Sequence, residues 1–309
     1  MISLRMVWPP ALSAGRQRGL MVGGVAIAVA IWLLVVALAE PYSWQTLGTG
    51  HDARPYWTAL TGSPYLTSTV GAHDAYLYSP AFLQLIGPLR VLPWQAFIAA
   101  WTIVMIGAAL FVVGPVLLGP VLLLVLPELL GGNITLLIAL AIVLGFRWPA
   151  AWSFVLLTKV TPGVGLLWFA VRGEWRKLAV AIGATVALVS VSWIVSPTGE
   201  WQRWFEVLAV NAGAPITSGS LPVPALVRVP LAVLLIVWGA RTDRRWVLPI
   251  GCLLAMPVIW YGSLTLLAAV IPLSAEREVR HQWTTAIAIV RAWWDDRRTP
   301  GKQREPQGA

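Results

Sequence analysis

The side chains best suited to acid–base chemistry stand together in the octet GHDARPYW, residues 50–57. A carboxylate such as that of Asp52 can take a proton from a hydroxyl group bound within about 2.6–3.2 Å of it. Arg54 can balance the charge of an anionic group bound nearby. His51 either orients Asp52 or caps the loop. The octet therefore predicts a catalytic base, Asp52, beside a site for a negatively charged group.

Lys159 is the second candidate, because it interrupts an apolar stretch. A lysine that faces lipid costs roughly 2.5–3.5 kcal/mol, and the nearby Pro162 lacks a backbone hydrogen-bond donor. Two half-helices that meet at residues 159–162 accommodate both, with the lysine at the floor of a cavity. Asp74, in AHDAYLYSP, is an alternative base, or it caps a helix that begins near Pro80.

The elements that must position these residues are membrane helices. Of the 309 residues, 58% are hydrophobic and 11% are charged, and the mean hydropathy is +0.75. Apolar runs of the roughly 20 residues that cross a bilayer extend from residue 20 almost to residue 273. The sequence therefore predicts an all-α, polytopic transmembrane protein with about 8–10 membrane helices, including broken or re-entrant half-helices.

The formal net charge of +9 reflects membrane topology, because the basic residues lie mostly at the ends of apolar runs. Arg5, Arg16 and Arg18 place the N-terminus in the cytoplasm. The run 20–39 is long for a cleaved signal peptide, so it is predicted to be the first span. The second and third spans are predicted at residues 76–92 and 94–113.

Basic residues flank both sides of two later segments, 149–172 and 246–273, and each contains a proline near its middle. A broken hairpin explains each of them. The loops 41–76 and 196–221 are then external, the second with an interfacial helix. The predicted domain organisation is a transmembrane domain, residues 1–275, in the plasma membrane, followed by a charged cytosolic tail, residues 276–309. The tail is predicted to be partly disordered.

This topology gathers the rare polar groups on the external side. A carboxylate, a basic floor and aromatic walls suit a substrate that enters from lipid and carries a phosphate and a sugar. The sequence has no Walker-type loop, no dinucleotide fingerprint and no His/Cys cluster with metal spacing, so it predicts no cofactor and no metal-ligating residues. It leaves open whether the reaction needs a metal ion. The predicted site residues are His51, Asp52, Arg54, Tyr56, Asp74, Tyr78, Asn133, Lys159 and Trp260.

Several different short motifs stand along the first two thirds of the chain. The following stand in order: Asp52, Tyr56, Ala59 and Gly62 with Pro64-Tyr65; Tyr78-Ser79-Pro80; Pro88, Pro93 and Trp101; Gly132-Asn133 with Thr135; and Lys159 with Pro162. In this order and spacing the chain resembles glycosyltransferase family 87, polytopic enzymes of the GT-C class that use polyprenyl-phosphate sugars. The family's late Ser-Pro-x-x-Trp-x-His element is altered, since Gly262 stands in place of the histidine.

The resemblance implies a polyprenyl-phosphate donor, mannose or arabinose as the sugar, and a glycolipid or glycan acceptor. Asp52 would be the base, Lys159 and Arg54 would bind the donor phosphate, and Tyr56, Tyr78 and Trp260 would line the sugar pocket. Two alternatives remain open. One is a transporter or flippase for a lipid-linked sugar, and the other is a non-catalytic accessory subunit of an envelope glycan pathway.

Overall fold

A computed structural model describes residues 14–40, 49–59, 64–65, 68–72, 74–212 and 220–275, with isolated positions between 283 and 294. The predicted all-α class is confirmed, since these residues form helices joined by turns. Within the described ranges, three helices are long and apolar enough to cross a membrane, or four if one bent pair forms a single span. Gly62 and most of the tail 276–309 lie outside the described residues.

The first part of the chain pairs two long helices in opposite directions. Trp32 donates to the carbonyl of Ala99 at 3.0 Å, and Trp94 donates to that of Ala39 at 2.6 Å. The end of the first long helix therefore lies beside the start of the next. The helices of this part are α1 (Ala14–Leu38), α2 (Arg54–Thr58), α3 (Pro80–Arg90) and α4 (Trp94–Val113).

This pairing corrects the predicted second span. At about 1.5 Å per residue, the 11 residues of α3 rise only about 16 Å, half the thickness of a bilayer core. Because Trp94 lies beside Ala39, the chain returns to the end of α1 before α4 begins. Residues 76–92 thus stay at the end of the molecule that holds the octet, called here the loop end, and α4 runs from there to the opposite end.

Two shorter helices, α5 (Leu122–Gly131) and α6 (Thr135–Gly145), meet at a bend of 118°. The bend needs a glycine, because Gly132 has φ +77° and an added Cβ would lie 2.7 Å from that of Ala53. Gly50 donates to the Leu130 carbonyl at 2.7 Å. The bend between α5 and α6 therefore packs directly on the octet.

The predicted broken hairpin at residues 149–172 is present. A 3₁₀ turn and α7 (Trp152–Thr158) lead to an extended Lys159, after which a 3₁₀ turn and α8 (Leu167–Val171) lead back. Phe146, before the first half, lies 5.6 Å from Trp168 in the second half, between ring centroids. The two ends of the segment therefore lie together, with Lys159 at the tip.

The long helix α9 (Trp175–Val195) separates two ends of the molecule. It begins beside Arg172 and Lys177, while Ser196, just after it, accepts a hydrogen bond from Gln84 of α3 at 2.8 Å. Arg172 also donates to the Ala240 carbonyl. The basic residues near 147, 172–177 and 241–245 therefore gather at one end, called here the basic end, about 30 Å from the loop end.

The remaining helices begin at the loop end, and two of them cross to the basic end and back. They are α10 (Glu200–Asn211), α11 (Ala225–Arg241), α12 (Val247–Leu254) and α13 (Val270–Ser274), the last preceded by a 3₁₀ helix, Gly262–Ala269. In α10, predicted to be interfacial, Trp204 is buried and donates to the Leu77 carbonyl. Arg228 is buried and donates to the carbonyls of Met256 and Pro257 at 2.7 and 2.8 Å. Arg228 therefore secures the turn after α12.

Candidate active site

Asp52 is fixed against the bend between α5 and α6. Its backbone N–H donates to the Gly131 carbonyl at 2.9 Å, and its Oδ2 accepts from Asn133 Nδ2 at 3.3 Å. His51 Nε2 lies 3.3 Å from Oδ1, and 38% of the Asp52 side chain is exposed. The bend therefore holds one side of the carboxylate, and the other side is open to a bound molecule.

Lys159 reaches the same bend from the tip of the broken hairpin. Its Nζ donates to Thr135 Oγ1 at 3.2 Å, and Thr135 begins α6 just after Asn133. The ammonium interacts electrostatically with the Asp52 carboxylate. The two predicted residues lie far apart in the sequence, and the structure brings them to opposite ends of one turn.

Glu128 joins Asp52 and Lys159 to form a cluster of three charged side chains at the bend. It was not among the site residues predicted from the sequence. It is buried, with 2% of its surface exposed, and its Oε2 accepts from the Thr135 backbone N–H at 2.9 Å. It also interacts electrostatically with Lys159. A carboxylate inside the apolar run LLLVLPELLG was the available signal, since acidic residues are rare in membrane segments and mark functional positions.

Two tyrosines form a wall beside the carboxylates. Tyr56 and Tyr78 share a hydrogen bond of 3.2 Å between their hydroxyls, and the Tyr56 ring packs edge-on against Trp101. Trp101 donates to the Gly132 carbonyl at 2.7 Å. Burial, together with nearby Asp52, raises the pKa of Tyr56 and of Tyr78. Both hydroxyls therefore stay protonated at neutral pH and can donate hydrogen bonds.

Arg54 and Asp74 form an ion pair, with 2.7 Å between Nη2 and Oδ2. Only 11% of the arginine side chain and 25% of the aspartate side chain are exposed. Asp74 adopts φ +55°, in a backbone region that aspartate tolerates better than most residues. The pair ties α2 to the segment before α3, and the predicted ligand-binding roles of both residues stay predictions.

Trp260 lies on the turn between α12 and the last 3₁₀ helix, where it pairs with Ser220 in an isolated bridge. The turn approaches the cluster through Gly262, where an added Cβ would lie 2.8 Å from Glu128 Oε1. Gly262, where the resemblance to the family implies a histidine, therefore lies in contact with Glu128.

The assembled cluster joins one ammonium, Lys159, to two carboxylates, Asp52 and Glu128. Such a set can take a proton from one reactant and balance a developing negative charge on another. Among the residues that the structure describes, no three His, Cys, Asp or Glu side chains are grouped so that they could hold a metal ion.

The apolar helices and the polar cluster between them define a membrane protein with its candidate site at one end. The sequence model of glycosyltransferase family 87 matches residues 76–293. The chain therefore belongs to glycosyltransferase family 87 and is a membrane glycosyltransferase. The match includes Tyr78, Glu128, Asn133 and Lys159, and it begins after Asp52. No curated protein and no solved structure matches the chain.

Proposed function

We propose that this glycosyltransferase moves a sugar, mannose, from a polyprenyl-phosphate donor to a hydroxyl of a lipid-linked or envelope glycan acceptor, with inversion at the anomeric carbon. One observation carries the proposal. Asp52, which is partly exposed, and Lys159 contact opposite ends of the turn Asn133–Thr135. A base and a cation on one turn can serve the two sides of a displacement reaction.

In the proposed reaction, Asp52 takes the proton of the acceptor hydroxyl while the hydroxyl oxygen bonds to the anomeric carbon. The bond between this carbon and the phosphate oxygen breaks, and polyprenyl phosphate leaves with the electron pair. Direct displacement of this kind inverts the anomeric centre. The hydrogen bond from Asn133 and the backbone anchor at Gly131 keep the carboxylate in place, which lowers the cost of orienting the reactants.

Lys159 balances the charge that grows on the departing phosphate, since a fixed cation in a site that excludes water stabilises such charge. Glu128 compensates the lysine while the site is empty and positions Thr135 through its hydrogen bond. The hydroxyl of Tyr78, which accepts a hydrogen bond from Tyr56, can donate to the sugar. Asp52 is preferred to Asp74 as the base, because the Asp74 carboxylate is paired with Arg54.

The distribution of charges supports the proposed orientation. The basic end carries Arg147, Arg172, Lys177, Arg241 and Arg245, and cytoplasmic segments are enriched in Lys and Arg. The proposal therefore places this end and both termini in the cytoplasm, and the loop end outside a plasma membrane.

Orientation can be tested with cysteines introduced into a Cys252→Ser background, since Cys252 is the only native cysteine. Gln202→Cys lies on the exposed side of α10, and Thr242→Cys lies in the exposed turn at the basic end. A membrane-impermeant maleimide added to intact cells should label the first variant and not the second. The reverse result would contradict the proposed orientation.

The reaction can be tested with purified protein in liposomes that contain radiolabelled polyprenyl-phosphate mannose and an envelope glycolipid extract. The expected result is label in the acceptor, with the product anomer opposite to that of the donor. Movement of intact donor across the bilayer without transfer would favour a flippase, in line with the broken half-helices. Neither activity from folded protein would favour an accessory subunit, in line with Gly262 at the family's histidine position.

A further inference from the structure

Arg90, at the C-terminal end of α3, is a buried cation outside the cluster described above. Only 7% of its surface is exposed, and its Nε is buried without a hydrogen-bond acceptor among the described residues. A buried donor without an acceptor destabilises the fold, and more so when the group is charged. A fold that retains such a group gains from an anion that binds there.

Arg90 lines a cavity of about 600 Å³ between α3, the end of α9 and α10. The cavity also contains Arg203 and Glu200, which form an ion pair of 2.7 Å. Because this pair is neutral as a unit, the cavity carries one excess positive charge, that of Arg90. The other walls of the cavity include Pro80 and Leu83 of α3 and Val195 at the end of α9.

The surroundings of the cavity are apolar and exposed. Leu85 on α3, Ile194 and Val195 on α9, and Val91 just after α3 all present exposed side chains. Helix α9 is one of the helices long and apolar enough to cross a membrane. Only 11% of its apolar segment is buried inside the molecule. A cavity that holds one excess positive charge beside such an apolar helix fits a ligand with an anionic head and hydrocarbon chains.

We propose that this cavity binds the phosphodiester headgroup of an anionic membrane lipid, at a site separate from the cluster of Asp52 and Lys159. A phosphodiester carries one negative charge, which the excess charge of Arg90 balances, and a guanidinium can donate two parallel hydrogen bonds to its oxygens. This inference does not depend on the proposed donor or acceptor. The cavity extends along α3 from Arg90 to Pro80. Because Pro80 follows Tyr78 closely in the chain, the cavity lies next to the candidate active site at the N-terminal end of α3.

The test measures thermal unfolding of the purified protein in neutral detergent with added phosphatidylglycerol or phosphatidylcholine. Phosphatidylglycerol should raise the unfolding temperature of the wild type more than phosphatidylcholine does. In Arg90→Met this gain should disappear, and native mass spectrometry should show about tenfold weaker phosphatidylglycerol binding. Without lipid, Arg90→Met should be at least as stable as the wild type, since an unpaired buried charge has been removed.

The matched control is Arg147→Gln, which removes an exposed arginine at the basic end and should leave the lipid effect unchanged. If Arg90→Met does not fold, Arg90→Lys keeps the charge but not the paired donors and should retain part of the effect. Wild-type binding of phosphatidylglycerol by a folded Arg90 variant would overturn the proposal. Equal stabilisation by millimolar inorganic phosphate would also overturn it, in favour of a free-phosphate site. Absence of sugar transfer in a wild-type protein that still binds phosphatidylglycerol through Arg90 would contradict the proposed function and leave the lipid site supported.

Discussion

The basic end and the candidate site at the loop end use charge in different ways. At the basic end, Arg172 contacts both Glu174 and Asp243, at 2.7 and 3.0 Å, and Lys177 contacts Glu174 at 2.7 Å. At the loop end, the charges of Asp52 and Lys159 are held by the amide of Asn133 and the hydroxyl of Thr135. The first arrangement satisfies its charges with each other, whereas the second leaves the Asp52 carboxylate available to a ligand.

The contacts of aromatic residues also differ between the two ends. At the basic end, the guanidinium groups of Arg147, Arg244 and Arg245 lie 5.0–5.2 Å from the centres of aromatic rings, an arrangement that stabilises cations at a membrane surface. At the loop end, Tyr56 packs edge-on against Tyr78 and Trp101. Tyr56 donates to the Tyr78 hydroxyl, and Trp101 donates to the Gly132 carbonyl. We therefore expect that the anchoring charges can be replaced at small cost, whereas the charges in the site cannot.

The largest effect is expected from Asp52→Asn, which keeps the shape of the side chain and removes the base. Transfer should fall by about 10²–10⁴-fold, with normal expression and membrane insertion. The matched control is Asp243→Asn at the basic end, where 62% of the carboxylate side chain is exposed; its transfer rate should stay close to that of the wild type. Near-normal transfer by Asp52→Asn in the radiolabel assay would remove this residue from the mechanism.

Lys159→Met should have the next largest effect, because it removes the cation from the tip of the broken hairpin and keeps much of its volume. The ratio kcat/KM for the donor should fall by about 10²-fold, with little change in KM for the acceptor. Lys177→Met at the basic end is the control and should change neither parameter. An unchanged dependence on donor concentration would make Lys159 a structural residue.

Gly132→Ala tests whether the bend between α5 and α6 positions Asp52. The new Cβ would lie 2.7 Å from that of Ala53, in a backbone with φ +77°, so the expected loss is about 2–4 kcal/mol from backbone strain and overpacking. Gly173→Ala at the basic end has φ +68°, but its added Cβ would meet only Trp175 Nε1, at 3.9 Å, so it should lose only about 1–2 kcal/mol. Equal unfolding temperatures for the two variants would contradict close packing of the octet on the bend.

Glu174→Gln should have the smallest effect, at most about 1 kcal/mol, because the ion pairs of Glu174 are partly exposed. Burial alone would raise the pKa of Glu174, but hydrogen bonds from Lys177 and Arg172 bring it below its usual value. The pairs therefore stabilise the protein above the unfolded pKa of about 4.3 and cease to do so as the pH falls through the folded pKa. The difference between variant and wild type should vanish in acid; a difference that grows there would contradict this account.

Much of the fold could be predicted from the sequence, because membrane helices have simple requirements of length and apolarity. The break at Lys159 followed from a lysine and a proline inside an apolar segment, and the break near Pro257 followed from a proline between basic flanks. The span predicted at residues 76–92 was wrong. Its composition suits a membrane, but α3 ends at Arg90, and hydropathy does not specify which neighbouring helix ends meet.

The sequence by itself determined that the chain is a helical membrane protein, which polar residues are rare enough to matter, and which end is basic, because these properties depend on side-chain types in order along the chain. The tertiary structure alone decided that Glu128 joins Lys159, that Arg54 pairs with Asp74, and that Arg90 lines a cavity at the loop end. These contacts join residues distant in the sequence. They depend on the direction in which each short helix leaves its turn, which is set by the packing of glycine and aromatic residues.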